Sequence, residues 1–157
     1  MVFLRLLAAG RCGALDTFFS GLTYFGSEIA FMAAALLIFW CVDKRQGYYV
    51  FLVGALGTVC NQFLKLAFRI PRPWVLDPDF QIVEAARADA TGYSFPSGHT
   101  AASFASAAAL KTANSRLWKP ALALAVVIAL SRLYLYAHWP TDILGGAAVG
   151  ILAGWLG

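Results

Sequence analysis

With 157 residues, 61% hydrophobic and only 13% charged side chains, the chain is too apolar for an ordinary soluble domain and reads as a single all-α integral membrane domain, residues 1–157. The net charge of +4 is small enough to come from loops that set membrane orientation, and no basic, aromatic-interleaved patch points to nucleic acid. Cys12, Cys41 and Cys60 lack metal-ligand or redox spacing, so they read as small buried hydrophobes with no disulfide.

Residues 1–27 are apolar but broken by Arg5, Gly10, Arg11, Gly13 and Asp16. The pattern predicts an amphipathic helix lying on the membrane rather than a span or a signal core. Residues 29–42 are almost purely apolar and form the first predicted span, which Asp43, Lys44 and Arg45 end. A second span covers residues 48–68, about 30 Å as a helix, which matches a bilayer core. It carries Lys65 in its last turn, and its Asn61 and Gln62 read as inter-helix hydrogen-bonding groups.

Residues 69–95 change to Pro, Asp, Glu, Arg and Gly and form the one long extramembrane loop. The third span runs from Ser97 or Gly98 to Leu110, with alanines at helical spacing that allow close helix contact. A short connection leads through Pro120 into the fourth, residues 121–136. Pro140 suits the first position of the fifth, along which Gly146, Gly150 and Gly154 form a small-residue ridge. The expectation is a bundle of five spanning helices plus the interfacial helix.

Chemistry concentrates in three polar islands at the ends of these spans, where ionisable groups are costly and seldom idle. Lys65, Arg72 and Arg132 are three cations without three matching carboxylates, so an anion with several oxygens relieves their repulsion. Phosphate is the natural candidate. Ser97 and Gly98 precede a helix, whose free amides and positive dipole end also favour an anion. Asp142 falls in the first turn after Pro140, within reach of His138, an arrangement of nucleophile and orienting carboxylate. His99, the other histidine, stands beside the helix start and is placed to protonate a leaving oxygen. No carboxylate cluster suits a metal, so neither metal nor other cofactor is expected.

The islands have the forms KxxxxxxRP from Lys65 to Pro73, PSGH from Pro96 to His99, and SRxxxxxHxxxD from Ser131 to Asp142. In this order and without a substitution they resemble the three signature motifs of the type 2 phosphatidic acid phosphatase, or lipid phosphate phosphatase, superfamily. The resemblance implies that Lys65, Arg72, Arg132, Ser97 and Gly98 hold the phosphoryl group and that His138 forms a phosphohistidine. It also implies that Asp142 assists His138 and that His99 acts as the acid. Pro73, Pro96 and Ser131 would support them. The implied substrate is a lipid phosphomonoester or pyrophosphate: phosphatidic acid, phosphatidylglycerol phosphate or a polyprenyl pyrophosphate. Similar motifs also serve vanadate-dependent haloperoxidases, which are soluble, and a non-enzymatic lipid-phosphate binder is a further reading of the same residues. Trp74, Tyr93, Phe95 and Trp139 flank the motifs, as expected of a lipid path or of any membrane interface.

Loop charge gives the orientation independently of the motifs. Lys44 and Arg45 lie in one short connection and Lys111, Arg116 and Lys119 in another, so both are expected on the cytoplasmic side. Counting spans then brings all three islands to the extracytoplasmic face of a multi-pass cell-membrane protein. Cysteines introduced singly at Asp79 and Asn114 in intact cells test this. A membrane-impermeant thiol reagent is expected to label the first and spare the second, and the reverse pattern overturns the orientation.

Overall fold

The computed structural model describes residues 4, 7, 9–77, 82–88 and 90–156. Arg5, with much of the predicted interfacial segment before Ala9, and Asp79 lie outside the described residues. The described chain forms α1 Gly13–Tyr24, α2 Glu28–Cys41, α3 Lys44–Phe68, the single-turn helices α4 Pro73–Leu76 and α5 Glu84–Arg87, α6 Gly98–Thr112, α7 Trp118–Tyr134 and α8 Pro140–Leu156. The ends are set locally. Ser27 Oγ accepts from Ala30 N at 3.2 Å and Asp43 Oδ1 from Gln46 N at 2.8 Å, two side-chain caps that start α2 and α3. Helix α3 closes at Arg69, whose backbone is left-handed with φ 50°.

Helix α6 is the centre of the bundle, with α8, α7, α3 and α2 packed around it. Its small residues make this possible: Ala105 and Ala109 are fully buried in a core shared with Ala35, Val50 and Val53. The glycine ridge of α8 lies against it. A Cβ on Gly146 would meet Ser97 O at 2.6 Å, and one on Gly150 would meet Ala105 N at 2.8 Å, so the two backbones touch where no side chain intervenes.

The outer surface is apolar. Trp40, Phe63, Leu144 and Trp155 on α2, α3 and α8 are each more than 70% exposed, a surface better suited to lipid than to water. Cys12, Cys41 and Cys60 are free and lie on this exposed surface, which corrects the expectation that they are buried. Asn61 bridges elements as predicted, donating from Nδ2 to Pro96 O at 3.3 Å.

By length and composition one helical run, Lys44–Leu76, is long and apolar enough to cross a bilayer, and α1 with α2 makes a second only if the pair, bent by 52°, counts as one span. Helices α2, α6, α7 and α8 have 14, 15, 17 and 17 residues, which at 1.5 Å per residue rise about 21–26 Å against a hydrocarbon core of about 30 Å. These helices lie where the sequence placed spans, and each is shorter than the hydrocarbon core.

The seam between α6 and α8 yields a prediction. Gly150→Ala drives a methyl group into the α6 backbone and is expected to cost about 1–3 kcal/mol by overpacking. Leu152→Ala, on the exposed face, is expected to cost far less. Thermal unfolding in detergent compares them, and equal shifts would remove the close-contact argument.

Candidate active site

The C-terminal end of α3, the start of α6 and the turn between α7 and α8 converge on one cavity of about 350 Å³, whose walls include Lys65, Arg72, Gly98, His99 and His138. One residue or more from each of the three islands thus faces a common space. Arg132, Ser97 and Asp142 are fully buried directly behind that wall.

His138 is fixed from both sides. Its Nδ1 lies 3.3 Å from Asp142 Oδ2 and its Nε2 lies 3.3 Å from Arg72 Nη1. A carboxylate only accepts and a guanidinium only donates, so Nδ1 carries the proton and Nε2 keeps its lone pair. The ring therefore presents a basic nitrogen toward the cation that would draw in an anion. Asp142 Oδ2 also receives Trp139 N at 2.8 Å and a short hydrogen bond from Ser94 Oγ, so the carboxylate cannot swing.

Arg72 is clasped by backbone. Nε donates to Gly92 O at 3.0 Å, Nη2 to Thr91 O at 2.7 Å and Nη1 to Ala137 O at 3.0 Å. These carbonyls bring the 69–95 loop and the turn after α7 against one guanidinium. In that turn Tyr136, buried, takes a left-handed backbone with φ 61°, an uncommon state for a bulky residue that the surrounding contacts must hold.

Ser97 divides its roles. Its hydroxyl caps α6, accepting from Thr100 N at 3.4 Å and from Thr100 Oγ1 at 3.0 Å, while its backbone N–H donates to Asp142 O at 3.0 Å. The hydroxyl is thereby turned into the helix, and the anion-directed groups at this end are the free amides of the first turn. His99 Nε2 has no protein hydrogen-bond partner among the described residues. Ser131 Oγ donates to Ile128 O at 2.6 Å within its own helix, and Pro73 opens α4 beside Arg72; both support rather than face the cavity. Glu28 stands at the cavity wall as its one acidic member among the described residues.

Sequence reasoning missed three residues. Thr23, 3% exposed, accepts from Arg132 Nη1 at 3.0 Å, so α1 reaches the site. Tyr134 Oη donates to Asp16 Oδ1 at 2.9 Å and ties α1 to α7 a second time. Ser94, fully buried, anchors Asp142. Thr23 has no signal in an apolar helix, whereas Ser94 stands three residues before Ser97 and was within reach of the motif.

The sequence profile described as the PAP2 superfamily matches residues 46–157. An undecaprenyl-diphosphatase of Bacillus subtilis is 31% identical over 138 residues, which are 84% of this chain and 69% of that protein. The crystal structure of Aquifex aeolicus LpxE superposes with a TM-score of 0.84 at 29% identity, covering 98% of this chain and 91% of that one. A transmembrane PAP2-type phosphatidylglycerolphosphate phosphatase from Bacillus subtilis shares the fold, with a TM-score of 0.81 at 24% identity over 99% of this chain and 80% of that one.

Burial, reinforced by the neighbouring Arg132, Arg72 and Lys65, holds the His138 pKa well below its ordinary 6.5. The unfolded imidazole takes up a proton near that value and the folded one only at lower pH. In that window the unfolded state binds more protons, so stability falls as pH drops below about 6.5, by at most about 1.4 kcal/mol per pH unit from this group. His138→Gln is expected to flatten the decline. Melting temperatures in detergent from pH 7 downward test it, and parallel curves for the two proteins would count against a neutral buried imidazole.

Proposed function

The chain belongs to the PAP2 superfamily, and on that footing we propose that it hydrolyses a lipid phosphomonoester or diphosphate at a membrane surface through a phosphohistidine on His138. The observation that carries the reading is His138 between a donor-only and an acceptor-only partner, its Nε2 lone pair facing the cavity side of Arg72. In the proposed reaction Nε2 attacks phosphorus while Lys65, Arg72 and Arg132 neutralise the phosphoryl oxygens, with the amides of Gly98 and His99 adding partial positive charge. His99 protonates the departing oxygen, and water then cleaves the phosphorus–nitrogen bond to regenerate the imidazole and release phosphate.

Charge neutralisation by three fixed cations supports a reaction that needs no metal ion. A diphosphate is the substrate that the relatives favour, since the Bacillus protein is an undecaprenyl-diphosphatase. The cavity of about 350 Å³ has room for a headgroup of this kind beside the apolar outer surface from which a lipid would arrive.

We read the bundle as one domain crossing the membrane five times, with α1 against one surface and the site extracytoplasmic. Helices about 4–9 Å shorter than the hydrocarbon core are accommodated by local thinning and by flanking residues, at fractions of a kcal/mol per ångström of mismatch.

Purified protein is expected to release phosphate from a long-chain lipid diphosphate after exhaustive chelation, and vanadate is expected to inhibit as an oxyanion of transition-state geometry. His138→Ala should lower the rate by on the order of 10⁴-fold while the protein still folds. An acid-labile phosphoenzyme should be trapped in the wild type only. Loss of activity on chelation with recovery on added magnesium, or full activity in His138→Ala, would sink the mechanism.

A further inference from the structure

Of the three cations assigned to the phosphate, Lys65 and Arg72 stand in the cavity wall, whereas Arg132 is fully buried behind it. A guanidinium is a rigid planar fork on a long flexible stem, so its aim depends on the acceptors around it. Arg132 Nη1 donates to Thr23 Oγ1 at 3.0 Å, in the last turn of α1. Thr23 belongs to none of the three polar islands and is not among the residues that line the cavity.

The direction of the Thr23 hydroxyl is specific. A helical threonine can bond back to a carbonyl one turn earlier, and Thr17 on the same helix does so, to Gly13 O at 2.9 Å. Thr23 Oγ1 instead meets α7. Both partners are buried, where a guanidinium N–H deprived of its acceptor is costly, so the contact constrains the side chain that makes it.

Helix α1 is itself fixed against α7 in depth and rotation. Seven residues before Thr23, about 10 Å along the helix, Asp16 Oδ1 accepts from Tyr134 Oη at 2.9 Å. Between them the rings of Phe19 and Tyr134 pack with centroids 4.4 Å apart. Just past α1, Gly26 brings the backbone against the site: a Cβ there would meet Ile128 Cγ2 at 2.7 Å and His99 Cβ at 3.2 Å. The corner that carries Thr23 thus has little freedom relative to Arg132 or His99.

We propose that Thr23 is a positioning residue for the phosphoryl group: its hydroxyl sets the plane of the Arg132 guanidinium, and through Arg132 it acts on the transition state. The proposal rests on the phosphatase reading of the site. It gives α1 a part in the reaction that its apolar sequence does not announce.

Thr23→Val and Thr23→Ala remove the acceptor with and without side-chain bulk, so a folding failure in one leaves the other, and Thr23→Ser keeps the hydroxyl. In the full chain in detergent, either loss is expected to lower kcat/KM on farnesyl diphosphate by on the order of 10- to 100-fold, the range of a hydrogen bond to a charged group. Vanadate inhibition should weaken by a similar factor. Thr23→Ser should stay close to wild type, and Thr17→Val, on the exposed side of the same helix, should change neither quantity. The deciding measurement is a double-mutant cycle with Arg132→Met, which removes every guanidinium donor. If Thr23 acts through Arg132, Thr23→Val in that background costs at most about twofold more. A full additional loss there, wild-type kinetics in both single variants, or failure of Thr23→Ser to restore the rate would each overturn the proposal. Absence of phosphate release by the wild type, with vanadate still raising its melting temperature, would defeat the phosphatase reading instead. The vanadate-induced rise, lost in Thr23→Val and kept in Thr23→Ser, then decides the hold of Thr23 on Arg132 without turnover.

Discussion

One carboxylate oxygen holds the site together. Asp142 Oδ2 takes hydrogen bonds from Ser94 Oγ, from Trp139 N and from His138 Nδ1, which come from the loop before α6, from the turn before α8 and from the buried imidazole itself. A buried carboxylate is costly unless donors surround it, and here the donors are the parts that must be aligned. Desolvation therefore does the positioning. Arg72 is its mirror image, a buried donor-only group whose bonds go to carbonyls of residues 91, 92 and 137.

Both clusters depend on helices lying closer than ordinary side chains allow. Gly146 and Gly150 let α8 touch the α6 backbone, and this brings Ser97 N to 3.0 Å from Asp142 O, a hydrogen bond between the cap of one helix and the first turn of the other. The second and third polar islands are thus held in register by main chain. Side-chain geometry then follows from where the helices begin: Ser97 caps α6 just ahead of His99, and Pro140 opens α8 just ahead of Asp142.

Much of this was legible in the sequence, for identifiable reasons. Apolar runs bounded by Asp43, Pro120 and Pro140 gave the order and register of the helices, and the glycine spacing on α8 gave a packing face. The histidine and aspartate four apart across a helix start met as expected, at 3.3 Å. What stayed hidden depended on tertiary distance or on the direction of a side chain. Nothing in the residue types told that Arg72 would bind carbonyls of its own loop, or that the three cysteines would face outward on an apolar surface. The apolar runs gave the lengths of these helices to within two residues, and at 14–17 residues they are shorter than the hydrocarbon core is thick.

Thr23 lies in α1, ahead of the 46–157 stretch that carries the family likeness, yet its hydroxyl meets Arg132 at 3.0 Å. The start of the profile match and the reach of the buried polar network are therefore different lines drawn on the same chain. Whatever drifts in sequence before residue 46 still has to supply an acceptor at one point, and a recombinant or chimeric protein trimmed to the recognisable region would keep all three signatures while losing one of the braces that aims them.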